Sequence, residues 1–126
     1  MAVQDDHMIR SIQDIGRLIA KLLLHEQMPD YTLPEKEEDY TQADKLFARI
    51  TELADQGEIN QAENELLVGM VEEDADYLEM ALTFYLYLND MDGDFLDDHD
   101  YSREEVLEGI KTLAEDWGVV GLETLV

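Results

Sequence analysis

Both prolines of the chain, Pro29 and Pro34, lie within one six-residue stretch, and no proline interrupts the long segments on either side. Proline lacks a backbone N–H and its ring clashes with the preceding turn, so it is excluded from helix interiors. The proline-free segments are rich in Leu, Ala, Glu and Asp, and they show almost none of the period-2 alternation typical of strands. The sequence therefore predicts an all-α protein with about five helices.

Residues 1–25 are predicted to form an amphipathic N-terminal helix that begins near residue 6. Its apolar positions recur at alternating four- and three-residue steps, which places them on one helical face. This face either packs against the protein's own core or forms a coiled-coil-like seam with a second copy, because the spacing also fits a heptad repeat. The second interpretation predicts a homodimer through the N-terminal helix, with Ile12, Ile15, Ile19 and Leu22 as the self-association residues.

Residues 26–40 break the helical pattern, since they contain both prolines and a run of acidic residues. We interpret them as a linker whose carboxylates face water and which is ordered where Tyr31 and Leu33 contact the core. Residues 41–118 are then the helical-hairpin core, and residues 119–126 are an apolar tail. Together these segments are predicted to form a single helical domain over residues 1–126.

The start of this core predicts a helical hairpin. Thr41 and Asp44 fit a capping box that begins the second helix, and Gly57 suits the left-handed position just beyond its end. A third helix follows almost at once, and such a short connection makes the two helices antiparallel. The segment LFARITELADQGEINQAENELL, residues 46–67, resembles a tetratricopeptide helix pair in its leucine-rich first helix, its turn glycine and the small Ala62 at the helix crossing. The resemblance implies stacked antiparallel hairpins.

Two further helices follow the hairpin. The fourth begins near residues 74–76 and is the most hydrophobic, so it is predicted to be central. The fifth spans about residues 103–117, with Ser102 as N-cap, Glu105 completing a capping box and Gly118 ending the helix. The apolar face of the fourth helix consists of Tyr77, Leu78, Ala81, Leu82, Tyr85 and Leu88.

Four segments in order along the chain carry a wider resemblance: QDDHMIRSIQDIGRLIAKLL, QGEINQAENELL, DADYLEMALTFYLYLN and DYSREEVLEGI. Together they resemble an uncharacterised family, a domain of unknown function, of small acidic all-helical proteins from Gram-positive bacteria. The likeness extends from residue 4 to about residue 118. It implies an all-helical fold, and since the family has no assigned activity, it assigns no functional residue.

Residues 90–100, which we call the acidic loop, invite comparison with a calcium-binding EF-hand. That motif needs oxygen ligands at positions 1, 3 and 5, glycine at position 6 and glutamate at position 12. Placing Gly93 at position 6 puts Leu88 at position 1, and starting at Asp90 puts Phe95 and Tyr101 where glycine and glutamate are required. Both registers fail, so the loop is predicted to be an acidic connector with a buried Phe95–Leu96 plug. A weaker divalent-cation site of another type would use Asp90, Asp92, Asp94, Asp97 and Asp98.

Composition excludes several classes of function. The formal net charge of −24, from 32 acidic and 8 basic residues, disfavours nucleic acid and anionic membranes as partners. The chain has no cysteine for a disulfide or a thiolate site, and no apolar run long enough to span a membrane. The three histidines occur in unrelated segments, and no nucleotide-binding or hydrolase motif is present. We predict no catalytic residue and no cofactor.

The sequence thus predicts a cytoplasmic, non-enzymatic protein–protein interaction or adaptor module with an acidic surface. Charge complementarity predicts that its partner is a basic protein or peptide. Two alternatives belong to other classes of protein. One is a divalent-cation-binding protein or small enzyme that uses the acidic loop, and the other is an acidic inhibitor that mimics DNA by presenting carboxylates in place of phosphates.

Overall fold

The computed structural model describes residues 2–121, with side chains from residue 6 onward, and this part of the chain contains no strand. The all-α prediction is confirmed. The predicted apolar tail lies outside the described residues from residue 122 onward. The six helices of the described chain are α1 (Ala2–Ile19), α2 (Gln42–Asp55), α3 (Ile59–Gly69), α4 (Ala75–Asn89), α5 (Gly93–Asp98) and α6 (Arg103–Asp116). A π-helical turn at Ala20–Leu24 extends α1, and a 3₁₀ turn at Glu37–Asp39 precedes α2.

The second and third helices form the predicted hairpin. Thr41 and Asp44 make a complete capping box at the start of α2, and Gly57 has the left-handed φ of 89°. The Arg49 side chain donates two hydrogen bonds to the carboxylate of Glu65, of 3.0 and 3.2 Å. Nearer the open end, the side chain of Leu46 packs against Gly69 at the far end of α3. These pairings require the two helices to run antiparallel.

The fourth helix lies at the centre of the fold, as its hydrophobicity predicts. It packs against α1, α2 and α6, and α1 also packs against α6. Hydrophobic burial is the main favourable contribution to folding, so α4 organises the core. Its buried residues are Leu78, Met80, Ala81, Leu82, Phe84, Tyr85, Leu88 and Asn89.

Residues 26–40 lie against the helices through specific contacts. The Tyr31 hydroxyl donates a 2.5 Å hydrogen bond to Oδ1 of Asp44, and the Tyr31 ring packs 5.2 Å from that of Phe47. The backbone N–H of Asp30 donates a 3.0 Å hydrogen bond to Oε2 of Glu79 on α4. Burial alone would raise the pKa of Asp44, but hydrogen bonds from Tyr31 and Thr41 outweigh it and lower that pKa. This segment is therefore an ordered strap across α2 and α4.

The start of α6 is tied to α4 by a buried arginine. Arg103 donates hydrogen bonds of 2.6 Å to the carbonyl of Asn89 and 3.0 Å to that of Met91. The Asn89 side chain in turn donates a 3.1 Å hydrogen bond to the carbonyl of Ile9 on α1. Carbonyls at a helix C-terminus carry partial negative charge, which accounts for a cation buried at this position.

The helix predicted as the fifth is α6, because the short α5 precedes it. Its N-terminus differs in one detail from the predicted capping box. Ser102 Oγ accepts the backbone N–H of Glu105 at 3.2 Å, as predicted. The Glu105 carboxylate, however, accepts the Ser102 hydroxyl at 3.3 Å, and no reciprocal bond from the Ser102 backbone is formed. The cap is therefore half of the predicted box.

Candidate functional site

A groove of about 840 Å³ lies between the end of α3, the middle of α4 and the outer face of α6. We call it the α3–α6 groove. Its floor is apolar, because Leu66, Ala81 and Leu113 project from the three helices and are buried. Met70 and Trp117 are half-buried and line the groove beside this floor. The groove can therefore accept apolar side chains.

Carboxylates surround the apolar floor. They come from α3, from the turn that follows α3 and from α6, and no lysine, arginine or histidine lines the groove among the described residues. A cleft bordered by charges of one sign concentrates ligands of the opposite sign. The acidic residues that line the groove are Glu63, Glu72, Glu73, Glu105, Glu108 and Asp116.

Exposed apolar residues adjoin the groove at the end of α3. The side chains of Leu67, Val68 and Val71 are 57%, 88% and 46% exposed. Leu67 and Val71 line the groove itself, and Val68 is their neighbour along the chain. Single exposed apolar residues are common, but three together beside an apolar cleft are typical of an interaction surface.

One carboxylate of the groove is held by two buried tyrosines. Tyr85 of α4 donates a 2.8 Å hydrogen bond to Oε2 of Glu63, and Tyr101 donates a 3.0 Å hydrogen bond to Oε1. Both tyrosines are at most 2% exposed, whereas Glu63 is half-buried and lines the groove. The two phenols hold both oxygens of Glu63, so its carboxyl group is fixed in position.

Burial, followed by the nearby charge of Glu63, raises the pKa of both Tyr85 and Tyr101 well above the usual range. Both phenols therefore stay protonated at physiological pH and act as hydrogen-bond donors. They are unsuited to accept a proton in general-base catalysis at that pH. The arrangement favours recognition of a ligand over proton transfer.

A glycine on α6 makes room for this cluster. A Cβ at Gly109 would lie 2.4 Å from Cε1 and 2.8 Å from the hydroxyl of Tyr85. A Cβ essentially never makes a non-bonded contact this short, so any other residue would displace the tyrosine ring. Gly109 thus allows Tyr85 to lie against α6 and to reach Glu63 on α3.

The acidic loop contains a short helix that the sequence did not predict. Asp92 is the N-cap of α5, and its side chain accepts a 3.0 Å hydrogen bond from the backbone N–H of Asp94. Leu96 is buried, as predicted for the plug, whereas Phe95 is only half-buried. Among the side chains of residues 6–121, no three acidic or histidine groups lie close enough together to hold a metal ion. The five candidate ligands are thus not brought together: Asp90, Asp92, Asp94, Asp97 and Asp98.

The predicted self-association residues are mostly inside the molecule. Ile12, Ile15 and Ile19 are fully buried in the core, where α1 packs against α4 and α6. Only Leu22, in the π-helical turn, is exposed, at 55%. The apolar face of α1 is thus occupied by the protein's own helices, which leaves the three isoleucines inaccessible to a second copy.

Sequence reasoning missed the groove because its residues are far apart in the chain. Glu63 lies 22 residues before Tyr85 and 38 before Tyr101, so no local motif contains the three. One signal was present in α3. Ile59, Ala62 and Leu66 form a buried face, whereas Leu67 falls on a different side of the helix. This apolar residue outside the buried face marks the groove.

The fold and the site together define the class of protein. It is all-helical, it has an acidic groove with an apolar floor, and the side chains of residues 6–121 include no group of metal ligands. The chain belongs to a family of unknown function, DUF6483, whose model matches residues 2–118. The expectation of an uncharacterised family is thereby confirmed. No curated protein and no solved structure matches the chain. No helix within residues 2–121 has the length and apolarity needed to cross a membrane.

Proposed function

We propose that this protein is a non-enzymatic interaction module that binds a basic, amphipathic segment of a partner protein in the α3–α6 groove. The observation that carries the proposal is the combination of an apolar floor with six surrounding carboxylates and no cation among the described lining residues. A segment with apolar residues on one side and lysine or arginine on the other matches both features. Such a segment typically binds as a helix in a groove.

Charge and apolar contact have different roles in the proposed complex. Carboxylates of the groove attract the basic segment and determine how fast it associates, so affinity falls as salt is added. Leu67, Met70 and Trp117 supply the apolar surface that is covered on binding. A tryptophan that becomes fully covered at the centre of an interface typically contributes a large share of the binding free energy.

Two features of the chain support an adaptor role within this proposal. The α2–α3 hairpin, with its turn at Gly57 and buried Ala62, is similar to a tetratricopeptide helix pair, a type of unit that commonly serves as a scaffold for binding. The charge of −24 disfavours nucleic acid as the partner. As part of the proposal, the module acts in the cytoplasm of a Gram-positive bacterium, in keeping with the family resemblance of its sequence.

A pair of leucines with nearly equal exposure tests the proposal. Leu67 lines the groove and is 57% exposed, whereas Leu22 lies outside it and is 55% exposed. Fluorescence anisotropy with a labelled amphipathic peptide of leucine and lysine measures binding to both variants. We expect Leu67→Asp to weaken binding about tenfold or more, and Leu22→Asp to leave it near the wild-type value. Equal binding by the two variants, or no binding by the wild type, would refute the proposal.

A further inference from the structure

Glu63 differs from the other carboxylates of the groove in how it is held. The other five, on the turn after α3 and on α6, are exposed. Glu63 is half-buried, and each of its oxygens accepts a hydrogen bond from a buried tyrosine, at 2.8 Å from Tyr85 and 3.0 Å from Tyr101. A group that is already fixed loses little conformational entropy when a ligand binds to it. Glu63 is therefore the pre-organised polar group of the α3–α6 groove.

The carboxylate of Glu63 retains acceptor capacity on both oxygens. A carboxylate offers about four lone-pair positions, and the two phenols use one on each oxygen. One position on each oxygen remains. This matches the two parallel N–H groups of a guanidinium, which bind a carboxylate in a bidentate, planar geometry.

We infer that Glu63 is the specificity-determining residue of the groove and binds one arginine side chain of the occupant in preference to lysine. This inference rests on the proposed function, because it assumes a basic occupant. A lysine ammonium is a compact point charge and gains no advantage from a fixed pair of oxygens. It interacts equally well with the exposed carboxylates, so it does not depend on Glu63.

Two peptides of about 16 residues, long enough for four helical turns, test the inference. They share one leucine face and differ only in having arginine or lysine at every basic position. Binding of both to the full chain is measured by fluorescence anisotropy at one salt concentration. We expect the arginine peptide to bind about tenfold more tightly, as a bidentate hydrogen-bonded pair would provide.

Three variants assign the preference to Glu63. Glu63→Gln is expected to abolish it, whereas Glu108→Gln, which removes an exposed carboxylate of the same groove, weakens both peptides equally and preserves it. Tyr85→Phe keeps the carboxylate but removes one of the two groups that hold it, so the preference is expected to shrink while both peptides still bind. Circular dichroism of each variant checks that the helical fold is intact, and Tyr85→Phe provides the test if Glu63→Gln does not fold.

The possible failures are distinguishable. Equal binding of the two peptides by the wild type overturns the role of Glu63 and leaves the proposed function standing. The same conclusion follows if Glu63→Gln and Glu108→Gln reduce the preference alike. If neither peptide binds the wild type, the proposed function and this inference fail together.

Discussion

The acidic loop and the α3–α6 groove each contain six carboxylates, but the two regions are built differently. In the loop, the six aspartates fall within residues 90–100, so their density is visible in the sequence. In the groove, the six come from separate parts of the chain and share an apolar floor. In this protein, carboxylates that are close together in the sequence belong to a segment that connects two helices. The carboxylates that come together only in the folded structure form the candidate site.

Local structure accounts for several residues of the loop. Asp92 caps α5, and the carbonyl of Asp100 accepts a 3.0 Å hydrogen bond from the Asn60 side chain. The His99 ring packs against Gly57, where a Cβ would lie 2.2 Å from the ring. These contacts attach the loop to the α2–α3 hairpin. In the groove, by contrast, only Glu63 is held by buried partners, and the exposed carboxylates surround an open volume.

The largest expected effect concerns the arginine that holds the start of the loop. Replacing Arg103 with Met preserves much of its volume but leaves the carbonyls of Asn89 and Met91 without their hydrogen bonds. Because hydrogen bonds to charged groups contribute about 1.5–3 kcal/mol each, we expect a loss of about 3 kcal/mol in the free energy of unfolding. Urea unfolding monitored by circular dichroism measures it.

Arg49→Met is the matched control for this substitution. Arg49 is an exposed arginine paired with Glu65, and an exposed ion pair contributes little to the free energy of unfolding. If the two substitutions lower the free energy of unfolding equally, Arg103 does not hold the acidic loop in place. The loop would then not differ from the groove in being held by buried hydrogen bonds.

The next effect concerns the groove. Alanine in place of glycine within an exposed helix is normally stabilising, by about 1 kcal/mol. At Gly109, however, the new Cβ would lie 2.4 Å from the ring of Tyr85, which is buried and hydrogen-bonded to Glu63. Overpacking of this kind costs about 1–3 kcal/mol, so we expect Gly109→Ala to be destabilising on balance.

Urea unfolding of Gly109→Ala is compared with that of Gly109→Ala combined with Tyr85→Leu, which removes the clashing ring. The cost of the alanine should largely disappear when the Tyr85→Leu substitution is also present, because residues in contact are energetically coupled. If Gly109→Ala lowers the free energy of unfolding equally in both backgrounds, the glycine is not needed to make room for the Tyr85 ring.

The parts of the fold that sequence predicts are those that depend on near neighbours. Thr41 with Asp44, the left-handed Gly57 and the Ser102 cap each lie within a few residues of their partners, and all three are present. The α5 helix was missed because it has only six residues, too few to show a helical period. The Glu63 cluster was missed because its three side chains come from α3, from α4 and from the residue pair before α6, and no short pattern encodes their meeting.

The smallest expected effect comes from a third acidic region, where the strap crosses α4. Burial, followed by a hydrogen bond with Glu26, raises the pKa of Glu79 from 4.5 to about 7. In the folded state the proton is held more tightly than in the unfolded chain. The contribution of this group to stability is therefore complete below pH 4.5 and is lost as the pH rises through about 7.

Glu79→Gln should flatten this part of the pH dependence, because glutamine does not titrate and can still accept the N–H of Asp30 through its side-chain oxygen. Melting temperatures measured at intervals from below pH 4.5 to above pH 7 provide the comparison. Glu115→Gln, which removes an exposed carboxylate on α6, is the control for net charge. It should leave the change of melting temperature with pH as it is in the wild type. If both variants and the wild type lose melting temperature equally as the pH rises, the pairing of Glu26 with Glu79 does not control the stability of the strap. In that case the carboxylates near the strap resemble the solvent-exposed carboxylates of the acidic loop.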